Sequence, residues 1–366
     1  MSMRSLVFAL LGAWLSVFAS DVRAADAPQS VDVYGAWHCG NDYCTWSTVR
    51  DVAEFDQKNH WLIDRGNGSP SVNLVVLAFV HPLKLLDQTT DASTLNGVPR
   101  GMTQAVVDYF KSRGVRVMLS IGGITYTKAW NQALSQDAAK LGRNAALVAK
   151  TLGVGIEIDY EENRSPNLAG LEEFIRAYRL VHPYDDTGDA TGENHAARLT
   201  IDLAAGDRWL IAITRKATAD WLRDTSDDAL RLDYTNAMVP ARQPSTRDAI
   251  ANWQEHVDGK PQYAPPIPPL APAKFTGSVY LVGSKVIPEC NNFATSLQKS
   301  TESFVTTVTS KIANATPGLL GYMFWAAECS GTRSVCTSPP NTCEKGVGTG
   351  ASYYNVPIPM RALRQY

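Results

Sequence analysis

The sequence has no surplus of charge in either direction. Its 366 residues include 34 Lys and Arg against 36 Asp and Glu, a formal net charge of −2, and the two signs are mixed along the chain. No basic stripe forms, which argues against a nucleic-acid partner. After Phe18 there is no long apolar stretch, so no membrane contact is expected of the mature chain. There is no glycine-rich phosphate loop, no CxxC pair and no histidine spaced to complete a metal site, so neither a cofactor nor a metal is expected. No linker is long enough to set off a second domain, and no repeat is appended. An acidic loop, Asp185–His195, matches no calcium-ligand spacing and reads as solvated.

What is present is ordinary globular composition, 45% hydrophobic and 19% charged. The N-terminus reads as an export signal: Arg4, then an apolar run from Leu6 to Phe18, then small residues with a cleavage site at Val22-Arg23-Ala24. Residues 1–24 are expected to be removed, leaving 25–366 as one domain that is secreted or periplasmic and a monomer. The six cysteines, Cys39, Cys44, Cys290, Cys329, Cys336 and Cys343, fit that compartment as disulfide candidates, with their pairing open.

Eight short β-rich runs can be picked out: Val31–Trp37, Val72–Val80, Val115–Ile121, Gly155–Glu161, Leu199–Ala204, Ala237–Val239, Ser278–Val282 and Leu319–Trp325. Their starts recur about every forty residues, with helical patterns between them at Thr103–Arg113, Asp137–Leu152, Leu171–Val181 and Ser296–Ala313. Strands alternating with helices imply parallel βαβ units. Eight such units predict a single (β/α)8 TIM barrel, an α/β fold whose active site lies at the C-terminal ends of its strands. All six cysteines then follow strands one, seven and eight. They would gather on loops at one edge of that face and tie those loops together.

The fourth run concentrates the chemistry. Side chains alternate along a strand, so Ile156, Ile158 and Tyr160 share one face and Glu157, Asp159 and Glu161 the other. The acidic face points into the barrel, with carboxylates about 7 Å apart. Burial and mutual repulsion oppose ionising all three. One protonated acid beside one ionised partner is the pair that glycoside hydrolysis uses.

Here the sequence resembles glycoside hydrolase family 18, the chitinase family. The family's fourth strand reads Asp-Gly-x-Asp-x-Asp-x-Glu; this chain has Val154-Gly155-Ile156-Glu157-Ile158-Asp159-Tyr160-Glu161. The family's Ser-x-Gly-Gly on strand three is similar to Ser120-Ile121-Gly122-Gly123. Its aromatic eighth strand resembles Gly321-Tyr322-Met323-Phe324-Trp325. The resemblance implies retaining, substrate-assisted hydrolysis next to N-acetylglucosamine. Glu161 would protonate the glycosidic oxygen, and the sugar's own acetamido oxygen would attack the anomeric carbon. Asp159 would hold the acetamido N–H and stabilise the oxazolinium. Glu161 would then act as base toward water. Trp325 would floor the sugar subsite, with Tyr34, Trp37, Met238, Asp202 and Arg242 as further substrate-binding candidates.

The chain departs from the family at three places. Val154 replaces the first Asp, but its side chain points away from the acids. Glu157 replaces the second Asp with a longer side chain. On strand six the family's Met-x-Tyr, whose tyrosine holds the acetamido oxygen, meets Met238-Val239-Pro240-Ala241-Arg242. The implied partner is an N-acetylglucosamine-containing oligo- or polysaccharide. Chitin is one candidate, and the core of an N-glycan or a wall glycan another. A non-catalytic glycan-binding lectin is the alternative of a different class, against which Asp159 and Glu161 both stand.

Overall fold

The computed structural model describes residues 32–40, 44–64, 70, 72–185, 198–205, 208–237, 246–280, 304–305, 307–313, 315–325 and 327. Eight strands run through this span, the first seven alternating with helices. They are β1 (Val33–His38), β2 (Leu74–Val80), β3 (Arg116–Gly122), β4 (Gly155–Asp159), β5 (Leu199–Asp202), β6 (Tyr234–Ala237), β7 (Phe275–Tyr280) and β8 (Gly321–Trp325). Each pairs in parallel with its sequence neighbours, and β8 closes on β1 with Val33 opposite Gly321 and Trp37 opposite Trp325. The result is a closed eight-stranded barrel. Sequence-adjacent strands connected by helices can pair in parallel only through such crossovers.

The helices are α1 (Val52–Ile63), α2 (Pro82–Asp87), α3 (Gln104–Lys111), α4 (Thr127–Leu152), α5 (Leu168–Val181), α6 (Ile211–Lys216) and α7 (Thr246–Asp258). Local chemistry starts them. Asp51 accepts from the N–H groups of Ala53 and Glu54 at 3.0 Å, and Asn167 accepts from Gly170 N–H at 2.9 Å. Such caps satisfy donors that the helix itself cannot. α4 begins ten residues before the expected Asp137, but Asp137 is a true break: its φ of −166° is non-helical, and its carboxylate caps Lys140 N–H at 2.7 Å.

Strand parity separates two cores. Outward residues such as Val75, Leu77, Val117, Leu119, Ile156, Ile158 and Ile201 pack against the helices. Inward residues Val33, Trp37, Leu74, Val76, Met118, Tyr234, Leu320 and Met323 fill the barrel. Each fully buried large apolar side chain contributes about 1.5–3 kcal/mol. Parity also settles Tyr34. It is fully buried in the outer layer, edge-on to Tyr322 at 5.8 Å, so it lies away from the barrel interior rather than in a sugar cleft.

Strand six runs Tyr234–Ala237 rather than Ala237–Val239, and strand seven starts at Phe275 rather than Ser278. Two short antiparallel pairs, Thr94–Leu95 with Val98–Pro99 and Ala204–Ala205 with Arg208–Trp209, were not anticipated. All of Asp185–His195 but Asp185 lies outside the described residues, as does half of Ser296–Ala313; within the other half, residues 308–313 are not helical, unlike the helix expected there. Just beyond β1, Cys39 and Cys44 form a disulfide. Cys290, Cys329, Cys336 and Cys343 lie outside the described residues, as do the N-terminal 31 residues. No helix among the described residues is long and apolar enough to cross a membrane.

Candidate active site

The Ser120-Ile121-Gly122-Gly123 turn sets the end of β4. Gly122 has φ of 128°, and a Cβ there would lie 1.9 Å from the Asp159 carbonyl oxygen. Gly123 N–H donates to that same oxygen at 3.0 Å. Only residues without a side chain let the two backbones approach so closely. The Trp130 indole donates to Ile121 O at 3.0 Å from outside the barrel. Ser120 is fully buried and stands in register with Glu157.

On β4, Gly155, Glu157 and Asp159 point inward, while Val154, Ile156, Ile158 and Tyr160 belong to the outer core. Glu157 is fully buried and clamped at both oxygens. Trp37 Nε1 donates to Oε1 at 2.8 Å, and Asn236 Nδ2 donates to Oε2 at 2.8 Å. The Asn236 amide is itself oriented, its Oδ1 accepting from the Thr276 hydroxyl. Burial pushes the Glu157 carboxyl up to about 7, against the pull of the Trp37 and Asn236 hydrogen bonds and of the nearby Ser120 hydroxyl.

Asp159 is equally buried, yet neither of its oxygens is hydrogen-bonded among the described residues. Desolvation, then the charges of Glu161 and Glu157, hold it well above the usual carboxylate range. Glu161 follows just past the strand and is half-buried. Asp202 on β5 joins them. It too is fully buried and is raised by desolvation, then by Glu157, Asp159 and Glu161. Four carboxyl groups therefore share one space inside the barrel. Burial and mutual repulsion oppose ionising them together, so the cluster favours protonated forms.

Aromatic rings flank the acids. Trp325 at the end of β8 is half-buried and lies 6.3 Å from Trp37. Phe79, where the β2–β3 register shifts, stacks on Trp325 at 5.6 Å and 17°. The fold thus gathers Glu157, Asp159, Glu161, Asp202, Ser120, Trp37 and Trp325 and leaves Tyr34 apart. Met238 and Arg242 lie outside the described residues. Asn236, Thr276 and Phe79 were not anticipated. The first two are polar residues at inward positions of strands that were placed two or three residues too late. Among the described residues, no set of three or more His, Cys, Asp or Glu side chains has the arrangement of a metal site.

No protein-family model and no curated protein matches the chain. Among solved structures it is similar to a glycoside hydrolase family 18 chitinase from Pseudoalteromonas aurantia, at 14% identity, covering 80% of this chain and 93% of that one with a TM-score of 0.47. A chitinase from Aspergillus fumigatus gives 15% identity, 81% and 91% coverage and 0.45. A chitinase-like agglutinin from Robinia pseudoacacia gives 12%, 81% and 95%, and 0.44. These are likenesses of chain path at low identity.

Proposed function

We propose that this chain is an exported glycosidase that cleaves β-1,4 linkages next to N-acetylglucosamine, with residues 25–366 as one catalytic barrel. The observation that carries the reading is the pairing of a wholly buried Asp159 with a half-buried Glu161, inside a cluster whose burial favours protonated forms.

Glu161, half-buried just past the C-terminal end of β4, is the general acid. It gives its proton to the glycosidic oxygen as the bond to the anomeric carbon breaks. The substrate's acetamido oxygen forms the new bond to that carbon, so no protein nucleophile is needed. Asp159 takes up the acetamido N–H. As positive charge grows on the ring, the negative charge carried by the Glu157–Asp159 pair stabilises it, and its fixed position avoids reorganisation. Trp37 and Asn236 keep that charge in place through Glu157. Water then opens the oxazolinium with Glu161 as base. Acid–base assistance of this kind is worth about 10²- to 10⁴-fold in rate. Trp325, backed by Phe79, offers its face to the sugar ring.

The test is incubation of the mature protein with N-acetylglucosamine hexamer, beside Glu161→Gln, followed by chromatography. Dimers and trimers from wild type alone support the reading. Intact hexamer in both samples, with an N-glycan core cleaved instead, would move the substrate. Binding without cleavage of any glycan would make the protein a lectin and overturn the enzyme reading.

A further inference from the structure

Among the described residues, Asp202 is the one acid of the buried cluster without a task in the proposed reaction. It is fully buried, and among the described residues neither of its oxygens makes a hydrogen bond. Asn236 stands beside it in register; its Nδ2 donates to Glu157 and its Oδ1 accepts from Thr276, while its second N–H lies outside hydrogen-bond geometry to Asp202 and only weakly favours the ionised form. The charged groups that bear on Asp202 are Glu157, Asp159 and Glu161, all acidic. An unpartnered carboxyl among three others costs stability in any protonation state. A side chain with that cost is explained by something it does with a ligand.

Its position says what. β4 and β5 pair with Ile158 opposite Ile201, so Asp159 and Asp202 come next on adjacent strands, both facing inward. Asp159 is the group assigned to the acetamido N–H. The other end of that amide is its carbonyl oxygen, the internal nucleophile, which needs a donor to fix its direction. At the strand-six position where the resembling family places a tyrosine for this purpose, the chain has Pro240, which has no side-chain donor. Desolvation and three neighbouring acids favour the neutral form of Asp202, and a neutral carboxylic acid has an O–H to give.

We propose that Asp202, as a neutral acid, donates its O–H to the acetamido oxygen of the sugar whose N–H Asp159 holds, and so aims the internal nucleophile. This rests on the substrate-assisted reading. The ligand class is then the 2-acetamido sugar, gripped at both ends of its amide by carboxyls on neighbouring strands.

Asp202→Asn and Asp202→Ala are compared with wild type on N-acetylglucosamine hexamer, with kcat, KM and Tm recorded. Both variants should melt at or above the wild-type temperature, because each removes an unpartnered buried acid. Asparagine still donates, so its kcat should stay within about fivefold of wild type. Alanine should lose about 10²- to 10³-fold in kcat, the usual cost of one missing donor at a reacting oxygen, with little change in KM. Alanine at wild-type rate overturns the inference. Asparagine as slow as alanine overturns it too, because Asp202 would then be needed as a charge. Failure of either variant to fold also overturns it, in favour of a structural role. Wild type inert on every N-acetylglucosamine glycan would instead sink the functional reading on which the inference stands.

Discussion

Trp37 Nε1 donates to Glu157 Oε1 at 2.8 Å, joining β1 to β4 across 120 residues of sequence. The bond lies within the barrel, and it favours the ionised form of Glu157. Trp37→Phe removes the donor and keeps most of the ring. Glu157 should then hold its proton to higher pH, so the acid limb of the kcat/KM profile moves upward. Stability should fall by about 1–3 kcal/mol, the cost of an unsatisfied buried acceptor. A pH–rate profile beside urea unfolding checks both; an unmoved limb would contradict the role given to this bond.

Glu157 also sets a pH dependence of stability. Its folded value, about 7, exceeds the ordinary 4.5, so the folded chain binds that proton more tightly than the unfolded chain does. The contribution is fully present below about pH 4.5 and is lost as pH rises to about 7. Asp159 and Asp202 act in the same direction. Wild type should therefore lose stability across that window, and Glu157→Gln should flatten the loss. Thermal melts at half-unit pH steps would show it, and parallel curves for the two proteins would count against it.

Gly122→Ala meets two obstacles at once. The φ of 128° is one that side chains rarely adopt, and the new Cβ would sit 1.9 Å from the Asp159 carbonyl oxygen. A loss of about 3 kcal/mol or more is expected, together with displacement of Asp159 and Glu161. Differential scanning calorimetry reads the first effect and hexamer turnover the second. A variant with wild-type Tm and rate would show that the strand-three turn does not fix β4.

The Cys39–Cys44 bridge closes a loop with a sequence separation of 5, directly after β1. So short a loop gains about 2 kcal/mol from restricting the unfolded chain. Replacing both cysteines by serine should lower stability by about that amount in guanidinium unfolding. A loss near zero would mean that the bridge constrains nothing the barrel has not already fixed.

Much of this was legible in the sequence, because a strand's period of two is a strong signal. The alternation in Gly155–Glu161 placed Glu157 and Asp159 inside and Ile156 and Ile158 outside, as the structure has them. The same rule applied to β1 separates Tyr34 from Trp37, which lie three residues apart and so on opposite faces. Residue type alone could not separate them. Strand six was misplaced for a physical reason. Its sequence, Tyr-Thr-Asn-Ala, carries polar residues at Thr235 and Asn236, with Asn236 turned inward onto Glu157, so the strand lacks the apolar run by which strands are recognised. Apolarity points to Ala237–Val239 instead, and Asn236, the second clamp on Glu157, carries no apolar signal of its own. The stacking of Phe79 on Trp325 arises from a local register shift that composition does not encode.

The most direct test is a comparison of fully acetylated N-acetylglucosamine hexamer with its deacetylated glucosamine counterpart, following the anomer of the first product by proton NMR. If the acetamido group is the nucleophile and Glu161 the acid, only the acetylated hexamer is cut. The product then appears first as the β-anomer, and Glu161→Gln abolishes the signal. Equal cleavage of both substrates, or an initial α-anomer, would contradict substrate-assisted hydrolysis in this barrel.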